Sequence, residues 1–461
     1  MTLARALIVA SLAHIPSAFA GAGSPVNQPI TGLAVTGQPT LGSGGAPISV
    51  LNNPFLTRDG RVAFVGAIDP GTGNNHFVWF DGGIVWLNSD ALPVVLVGGE
   101  TTMGISDNGD WVYSPSQDSL DAVWVNGASL FKETDPAPGL PGQYLTFCSR
   151  PQMDANGTPT WVSGTSPVQG GGAFARALYQ GGVKVLASGE TIDGQLITSG
   201  PSVGFPYDFS TDGSEYIVKV TISAPSTSND VVILSGSILA RESFPTGFGG
   251  NWQNFGDMKV NNAGDWALSG DTDAGTSEDG FLVLNSTAVA RESFVLGLGI
   301  TLTGNPLAVG LNDLGQVGAI WNSSAGELLF VITPGPKAND LNILMRVGDD
   351  VDLDGDGNAD GTISDFTANT TVGPGLDLPR QCRVCAHVDV TLVGGAVVEA
   401  IVCTALPSAP GLADLSGDGL VNGKDLAILL GLWGLSGIAD IDCDGVVTGG
   451  DLAILLGAWS V

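Results

Sequence analysis

Cations are what this sequence lacks most. Its 461 residues include 46 Asp and Glu but only 16 Lys and Arg, for a formal net charge of −30 at pH 7. The excess reflects scarce cations more than abundant acids, since only 13% of residues are charged. Such a surface has too little positive charge to displace counterions from nucleic acid or to hold an anionic membrane. It suits calcium or a basic partner instead. Histidine is nearly absent, at three residues, and cysteine is limited to five. No G-x-S-x-G, P-loop, H-E-x-x-H or dinucleotide fingerprint stands out. Past the N-terminus no apolar run has the length of a membrane span. What is abundant is glycine, 68 residues, within a chain that is 43% hydrophobic. That is the composition of many short strands joined by tight turns, and it argues against disorder.

The first residues, MTLARALIVASLAHIPSAFA, read as a signal peptide over 1–20. Arg5 gives the positive start, 6–13 the apolar stretch, and Ala18-Phe19-Ala20 a small-x-small cleavage site. The expected protein is therefore secreted, extracellular or at the cell surface, with no membrane span after cleavage. In that setting close cysteine pairs default to disulfides. Cys382 and Cys385 form a C-x-x-C with His387 and Cys403 nearby. One disulfide from Cys403 to either member of the pair is the expectation, and a zinc site of Cys382, Cys385, His387 and Cys403 the alternative. The odd count leaves at least one free thiol.

A short marker recurs: a small polar residue, two further residues, glycine, then a strand-like run. It appears as TRDGRVAF, SDNGDWVY, DANGTPTW, STDGSEYI, NNAGDWAL and NDLGQVGA, with glycines at 60, 109, 157, 213, 264 and 315. Their spacings are 49, 48, 56, 51 and 51. About twenty residues after each glycine comes a hairpin signal, such as FVWFDGGIVWL or AVWVNGASLF, in which Asp-Gly, Asn-Gly or Gly-Gly supplies the positive φ of a two-residue turn. A unit of three or four strands cannot bury both its faces alone, but stacked neighbours can. The fold class is mainly β: β-propeller-like tandem repeats over 21–405. The first marker residue is expected to close a turn through its side chain, and the glycine to take a φ other residues avoid. A degenerate seventh unit spans 378–402, with Cys382 in the glycine's place, 67 residues after Gly315 because of an insertion at 349–365. Seven blades is the leading count and six the alternative. Over residues 53–402 the marker resembles a family of exported bacterial proteins built on an N-x-x-G-x-x-A-F tandem repeat. That resemblance implies a surface or secreted role.

After a linker at 406–412, the chain from 413 to 461 says one thing twice. DLSGDGLVNGKDLAILLG is followed 26 residues later by DIDCDGVVTGGDLAILLG. Asp414, Ser416, Asp418, Asn422 and Asp425 occupy positions 1, 3, 5, 9 and 12 of a loop. Asp440, Asp442, Asp444, Thr448 and Asp451 repeat the layout. Oxygen side chains at alternate positions converge on a hard cation, glycine at position 6 permits the sharp turn, and the position-7 carbonyls of Leu420 and Val446 add an oxygen each. Each loop then opens one short helix. The pair resembles a type I dockerin, a calcium-folded module that plugs secreted proteins into cohesin domains. That likeness implies calcium as cofactor, a cohesin-like or other surface protein as partner, and ion binding as the source of stability for a small core. Positions 10 and 11, which help choose the cohesin in that family, are Gly423 and Lys424, then Gly449 and Gly450, leaving little for side-chain recognition. A third acidic loop, Asp352, Asp354, Asp356, Asn358 and Asp360, lacks a closing carboxylate at position 12. It resembles the calcium loops of integrin-type propellers and reads as a staple on a long connection between blades.

The expected function is non-catalytic: a secreted or surface-attached repeat protein that uses the calcium-folded dockerin-like end for attachment or assembly. The alternative is a dockerin-bearing carbohydrate-active enzyme, a polysaccharide hydrolase or lyase on the propeller, with a carbohydrate ligand. Glu133, Glu190, Glu242 and Glu292 recur after the hairpins and read as rim or turn residues, although lining a channel would let them bind a cation or sugar. Trp79, Trp111, Trp124, Trp161 and Trp266 read first as blade packing.

Overall fold

The marker is a β-turn whose first side chain closes it. Thr57, Ser106, Asp154, Ser210, Asn261 and Asn312 each accept, through a side-chain oxygen, the backbone N–H four or five residues on, at 2.8–3.0 Å. The six glycines take φ between +73° and +90°, where a Cβ would be strained. Cys382 takes φ +74°, so the seventh unit keeps the turn without the glycine. These features come from a computed structural model that describes residues 29–460 apart from 72–74, 89–95, 118, 201–205, 297–298, 335–339, 368–375 and 410. The expected signal peptide lies outside the described residues.

Each marker turn joins the inner and second strands of an antiparallel blade. Blade 5 shows the pattern plainly: Trp252–Val260, Trp266–Thr272, Gly280–Leu284 and Thr287–Arg291, paired in chain order. The last two strands form the hairpin the sequence announces, with Asn285 and Ser286 both at positive φ. Blades 2, 3 and 6 repeat this over 96–132, 144–187 and 302–346, as blade 5 does over 252–291, while blade 1 (48–87) has five strands and blade 4 (191–241) six. Blade 7 is built from both ends of the repeat domain. Its inner strands are Asp350–Val351 and Gly361–Phe366, followed by Arg383–Leu392 and Val397–Ala405, and its outermost strand is the N-terminal Thr31–Val35.

Seven apolar clusters hold the ring, each shared by two neighbouring blades. Phe55, Val78 and Trp86 of blade 1 meet Met103, Tyr113 and Trp124 of blade 2. The sharing continues round to the cluster joining Val384, Val388 and Val402 of blade 7 to Ile320 and Leu329 of blade 6. Another joins Cys385, Ile401 and Cys403 of blade 7 to Phe64 and Trp79 of blade 1. The circuit closes, and the molecule is a seven-bladed β-propeller. The five repeat tryptophans sit in these seams, none more than 7% exposed, as blade packing requires.

After the propeller, Leu406 and Ala409 of the linker are buried, and the Pro407 carbonyl accepts from the Gln316 side chain. Two helices follow, α1 (Gly423–Gly431) and α2 (Gly449–Gly457). Their core is a set of pairs 26 residues apart: Ala413 and Ala439, Leu415 and Ile441, Val421 and Val447, Leu429 and Leu455. The cross-contacts are reciprocal too. Val421 bonds to Ser460, and Val447 bonds to Gly434 and Leu435. The doubled ending thus folds as two halves related by a pseudo-twofold.

Candidate functional site: channel ring and acidic loops

The second residues of the marker turns are linked from blade to blade by hydrogen bonds. They are Arg58, Asp107, Ala155, Thr211, Asn262, Asp313 and Arg380. The Arg58 guanidinium lies 2.6 Å from Asp107, and its backbone N–H also donates there. The Asp107 N–H donates to the Ala155 carbonyl and the Ala155 N–H to Thr211. The Thr211 hydroxyl reaches Asn262 and Asp313, the Asn262 N–H donates to Asp313, and the Arg380 N–H donates to the Arg58 carbonyl. Each bond joins one blade to another, so the marker supplies the inter-blade lacing as well as its own turn.

Deeper in the channel the symmetry breaks. Carboxylates on three blades accept a backbone N–H of the next blade: Asp208 from Val260 at 3.0 Å, Asp257 from Val309 at 3.0 Å, and Asp377 from Leu56 at 2.8 Å. Lys259, buried among them, lies 3.3 Å from Asp208. Burial pushes the Asp208 carboxyl up to about 6, against the opposing pull of Lys259. Burial raises Asp257 and Asp377 as well, whereas the three surrounding carboxylates outweigh burial at Lys259 and hold its ammonium charged. The cavity beside this cluster measures about 100 Å³, and a second beside Arg380 about 60 Å³. Pockets that enclose small ligands run to roughly 300–1,000 Å³. Lys259 and Asp208 pair between neighbouring blades, and a cavity of about 590 Å³ lies elsewhere, lined by Arg61, Cys382, Arg383 and Asp440.

The recurring glutamates do not line it. Glu190 accepts from the Ala187 N–H, Glu242 from Asp230 and Glu292 from Gly304, all at turns after the outermost strands. No sequence signal marked Asp208, Asp257 and Lys259 on the inner strands, or Asp377 just ahead of the seventh marker turn, because these residues do not recur from blade to blade.

Two of the three predicted acidic loops bring three carboxylates together, whereas Asp414, Asp418 and Asp425 of the first C-terminal loop form no such group. Asp440, Asp442 and Asp444 place carboxylate oxygens within 4.8 Å of one another, as do Asp352, Asp354 and Asp356. Asp414 accepts the N–H groups of Gly417, Asp418 and Gly419, and Asp440 those of Asp444 and Gly445. Asp425 and Asp451, fully buried, serve as the third helical residues of α1 and α2. Each accepts from its N-cap backbone, and Asn422 and Thr448 complete the two capping boxes. The two loops differ in charge at position 3, Ser416 against Asp442, and at position 11. In the first, the Lys424 ammonium lies 2.6 Å from Asp418. In the second, the equivalent residue is Gly450, where a Cβ would fall 2.1 Å from Asp442. The donor set of carboxylates, amide and hydroxyl oxygens and carbonyls suits a hard cation, and the second loop suits it better.

The third acidic loop lies on the chain from the outer strand of blade 6, Asp340–Arg346, to the inner strand of blade 7, Gly361–Phe366, as the sequence places it. It is the turn of a hairpin inside blade 7, between Asp350–Val351 and Gly361–Phe366. It reaches the closing strand: the Gly32 N–H donates to the Asp352 carbonyl at 2.7 Å and the Asp352 N–H to Ile30 at 3.0 Å.

Cys385 and Cys403, directly opposed on neighbouring strands, form a disulfide. A second joins Cys382 to Cys443 across 61 residues. The four-ligand zinc alternative is thereby overturned, since all three of its cysteines are oxidised and His387 instead faces Glu399 at 3.6 Å. Cys148 is the free thiol, buried. Sequence reasoning missed the Cys382–Cys443 bond because Cys443 lies inside an acidic loop that read only as a metal site.

No family profile matches the chain, and no curated protein matches it. Solved structures similar to it include an oligogalacturonate lyase from Vibrio parahaemolyticus, at 8% identity, covering 78% of this chain and 98% of that one, TM-score 0.33. Another is a subtype N11 neuraminidase-like protein of A/flat-faced bat/Peru/033/2010 (H18N11), at 10% identity, 83% and 98% coverage, TM-score 0.31. A third is a protein of unknown function from Bacteroides caccae, at 13% identity, 56% and 82% coverage, TM-score 0.27. The fold assignment rests on the seven sheets themselves. Among the described residues no helix is long and apolar enough to cross a membrane.

Proposed function

We propose that this is an exported, non-catalytic propeller that attaches to a protein partner through its paired helices, with calcium organising the loops that open them. The observation that carries the reading is a doubled apolar surface. Leu430 and Leu456 are 53% and 52% exposed, and Trp433 and Trp459 are 47% and 38% exposed. Both pairs are 26 residues apart. A core of this size spares no tryptophan without cause, and exposed aromatic anchors of this kind mark binding surfaces. The dockerin-like reading of the module and its cohesin-like partner belong to this proposal.

In the first loop Asp414, Ser416, Asp418, Asn422, Asp425 and the Leu420 carbonyl would hold an ion. In the second loop Asp440, Asp442, Asp444, Thr448, Asp451 and the Val446 carbonyl would do so. Asp352, Asp354, Asp356, Asn358 and Asp360 would hold a third. Calcium would neutralise carboxylates that otherwise repel one another and would fix the start of each helix. The second loop offers four carboxylates and no competing ammonium, so it is the tighter site.

The test is capture from the exported protein fraction by the full chain, with and without calcium, beside a Trp433→Asp/Trp459→Asp variant. A partner retained only with calcium and lost in the variant is the expected result. Equal capture by both chains, or capture indifferent to calcium, contradicts the reading. Cleavage of a polysaccharide by the full chain would favour the enzyme alternative.

A further inference from the structure

The seventh marker turn departs from the other six, and its departures all point one way. Where the others read polar-x-x-Gly, this one reads Pro379-Arg380-Gln381-Cys382. Arg380 donates through its guanidinium to the carbonyls of Leu412 at 3.0 Å and Asp414 at 2.6 Å. Gln381 donates through Nε2 to the Asp440 carbonyl at 2.7 Å. Cys382 is bonded to Cys443. Asp414 and Asp440 are the first residues of the two loops, and Cys443 is the fourth residue of the second. Three consecutive residues of one propeller turn therefore grip both loops at their starts. Arg380 and Gln381 are 7% and 3% exposed, and Asp440 is 6% exposed.

We propose that this turn is a seat that pre-organises the second loop for its ion, with Gln381 and Cys382 as positioning residues and neither one a ligand. The inference rests on the calcium reading above for its consequence, but not for the seat itself. Converging carboxylates in a free loop costs conformational entropy and electrostatic work, which the ion must offset on binding. Here the covalent bond fixes position 4, and the Gln381 hydrogen bond fixes the backbone of position 1. The ordering is done before the ion arrives. The first loop has the Arg380 contacts but no covalent tie, so it depends on the seat less.

The experiment is hydrogen–deuterium exchange on the full chain as calcium is raised, which follows the two loops as separate peptides. The chains compared are the wild type, a Cys382→Ser/Cys443→Ser variant and Gln381→Met. Expected is a midpoint for protection of 436–448 at about tenfold or more higher calcium in the double-serine chain, and a smaller shift in Gln381→Met. The midpoint for 414–424 should move much less, and blade peptides should be unchanged. Identical midpoints for 436–448 in wild type and both variants would overturn the proposal. If neither loop of the wild type responds to calcium, the calcium reading fails. The seat is then judged without the ion: faster exchange of 436–448 in the double-serine chain upholds it, and equal exchange removes it.

Discussion

Asn261 shows how much one marker residue carries. Its Oδ1 accepts the N–H groups of Ala263 and Asp265, and its Nδ2 donates to the Asn312 carbonyl of the next blade at 3.1 Å. It is 1% exposed. Asn261→Ala removes the acceptor for the N–H groups of Ala263 and Asp265 and one of the two donors to the Asn312 carbonyl, which keeps the Gly315 N–H, and the expected cost is about 1–3 kcal/mol in denaturant unfolding. Asp208 gives a pH signature. Its folded pKa of about 6 lies above the ordinary carboxylate value, so ionising it costs the folded state. The stability carried by its proton is fully present below about pH 4 and is lost as pH rises through about 6. Asp208→Asn keeps an acceptor for Val260 and removes that titration. The difference in melting temperature between wild type and variant should therefore change between pH 4 and 6 in favour of the wild type at the acid end. A difference flat across that range would contradict it. The turn itself was legible in the sequence, because its polar side chain and glycine have a local cause. The channel carboxylates were not, because each is defined by a partner on another blade, 52 residues away for Asp208 and Asp257 and 321 for Asp377.

At the level of elements, ring closure depends on a five-residue strand. Thr31–Val35 completes blade 7 by pairing with Val397–Ala405 and is pinned by the acidic hairpin through Asp352. Gly32 is where the hairpin presses closest: a Cβ there would lie 2.8 Å from the Leu353 Cα and 2.9 Å from its carbonyl oxygen. Backbone atoms cannot step aside as a side-chain tip can. Gly32→Val should lower stability by about 1–3 kcal/mol and, in hydrogen exchange, free the amides of 397–405 more than those of any other blade. An unchanged melting temperature would show that the strand is not needed for closure. The repeat spacing revealed six inner turns and the hairpins after them. It could not reveal that the outer strand of blade 7 comes from the N-terminus, since a strand pairing across 370 residues of sequence leaves no periodic trace.

Across the whole molecule, the seven shared apolar clusters make the propeller one closed body. The seventh turn joins the helical pair to it. The blade count was readable because Cys382 sits where a marker glycine belongs, and its φ of +74° confirms the equivalence. The doubled ending was readable as two loops and two helices for the same reason: identical spacing imposes identical geometry. What the sequence hid was the contact between the two bodies, carried by residues that look like defects of the repeat.

The central claim is that the acidic loops bind calcium and that this binding organises the helical end. The measurement that tests it most directly is a calorimetric calcium titration of the full chain. About three ions are expected, with one lost in Asp440→Asn/Asp444→Asn and a different one in Asp352→Asn/Asp354→Asn, together with a rise in melting temperature as calcium is added. No heat beyond dilution, with a melting temperature indifferent to calcium, would contradict the account.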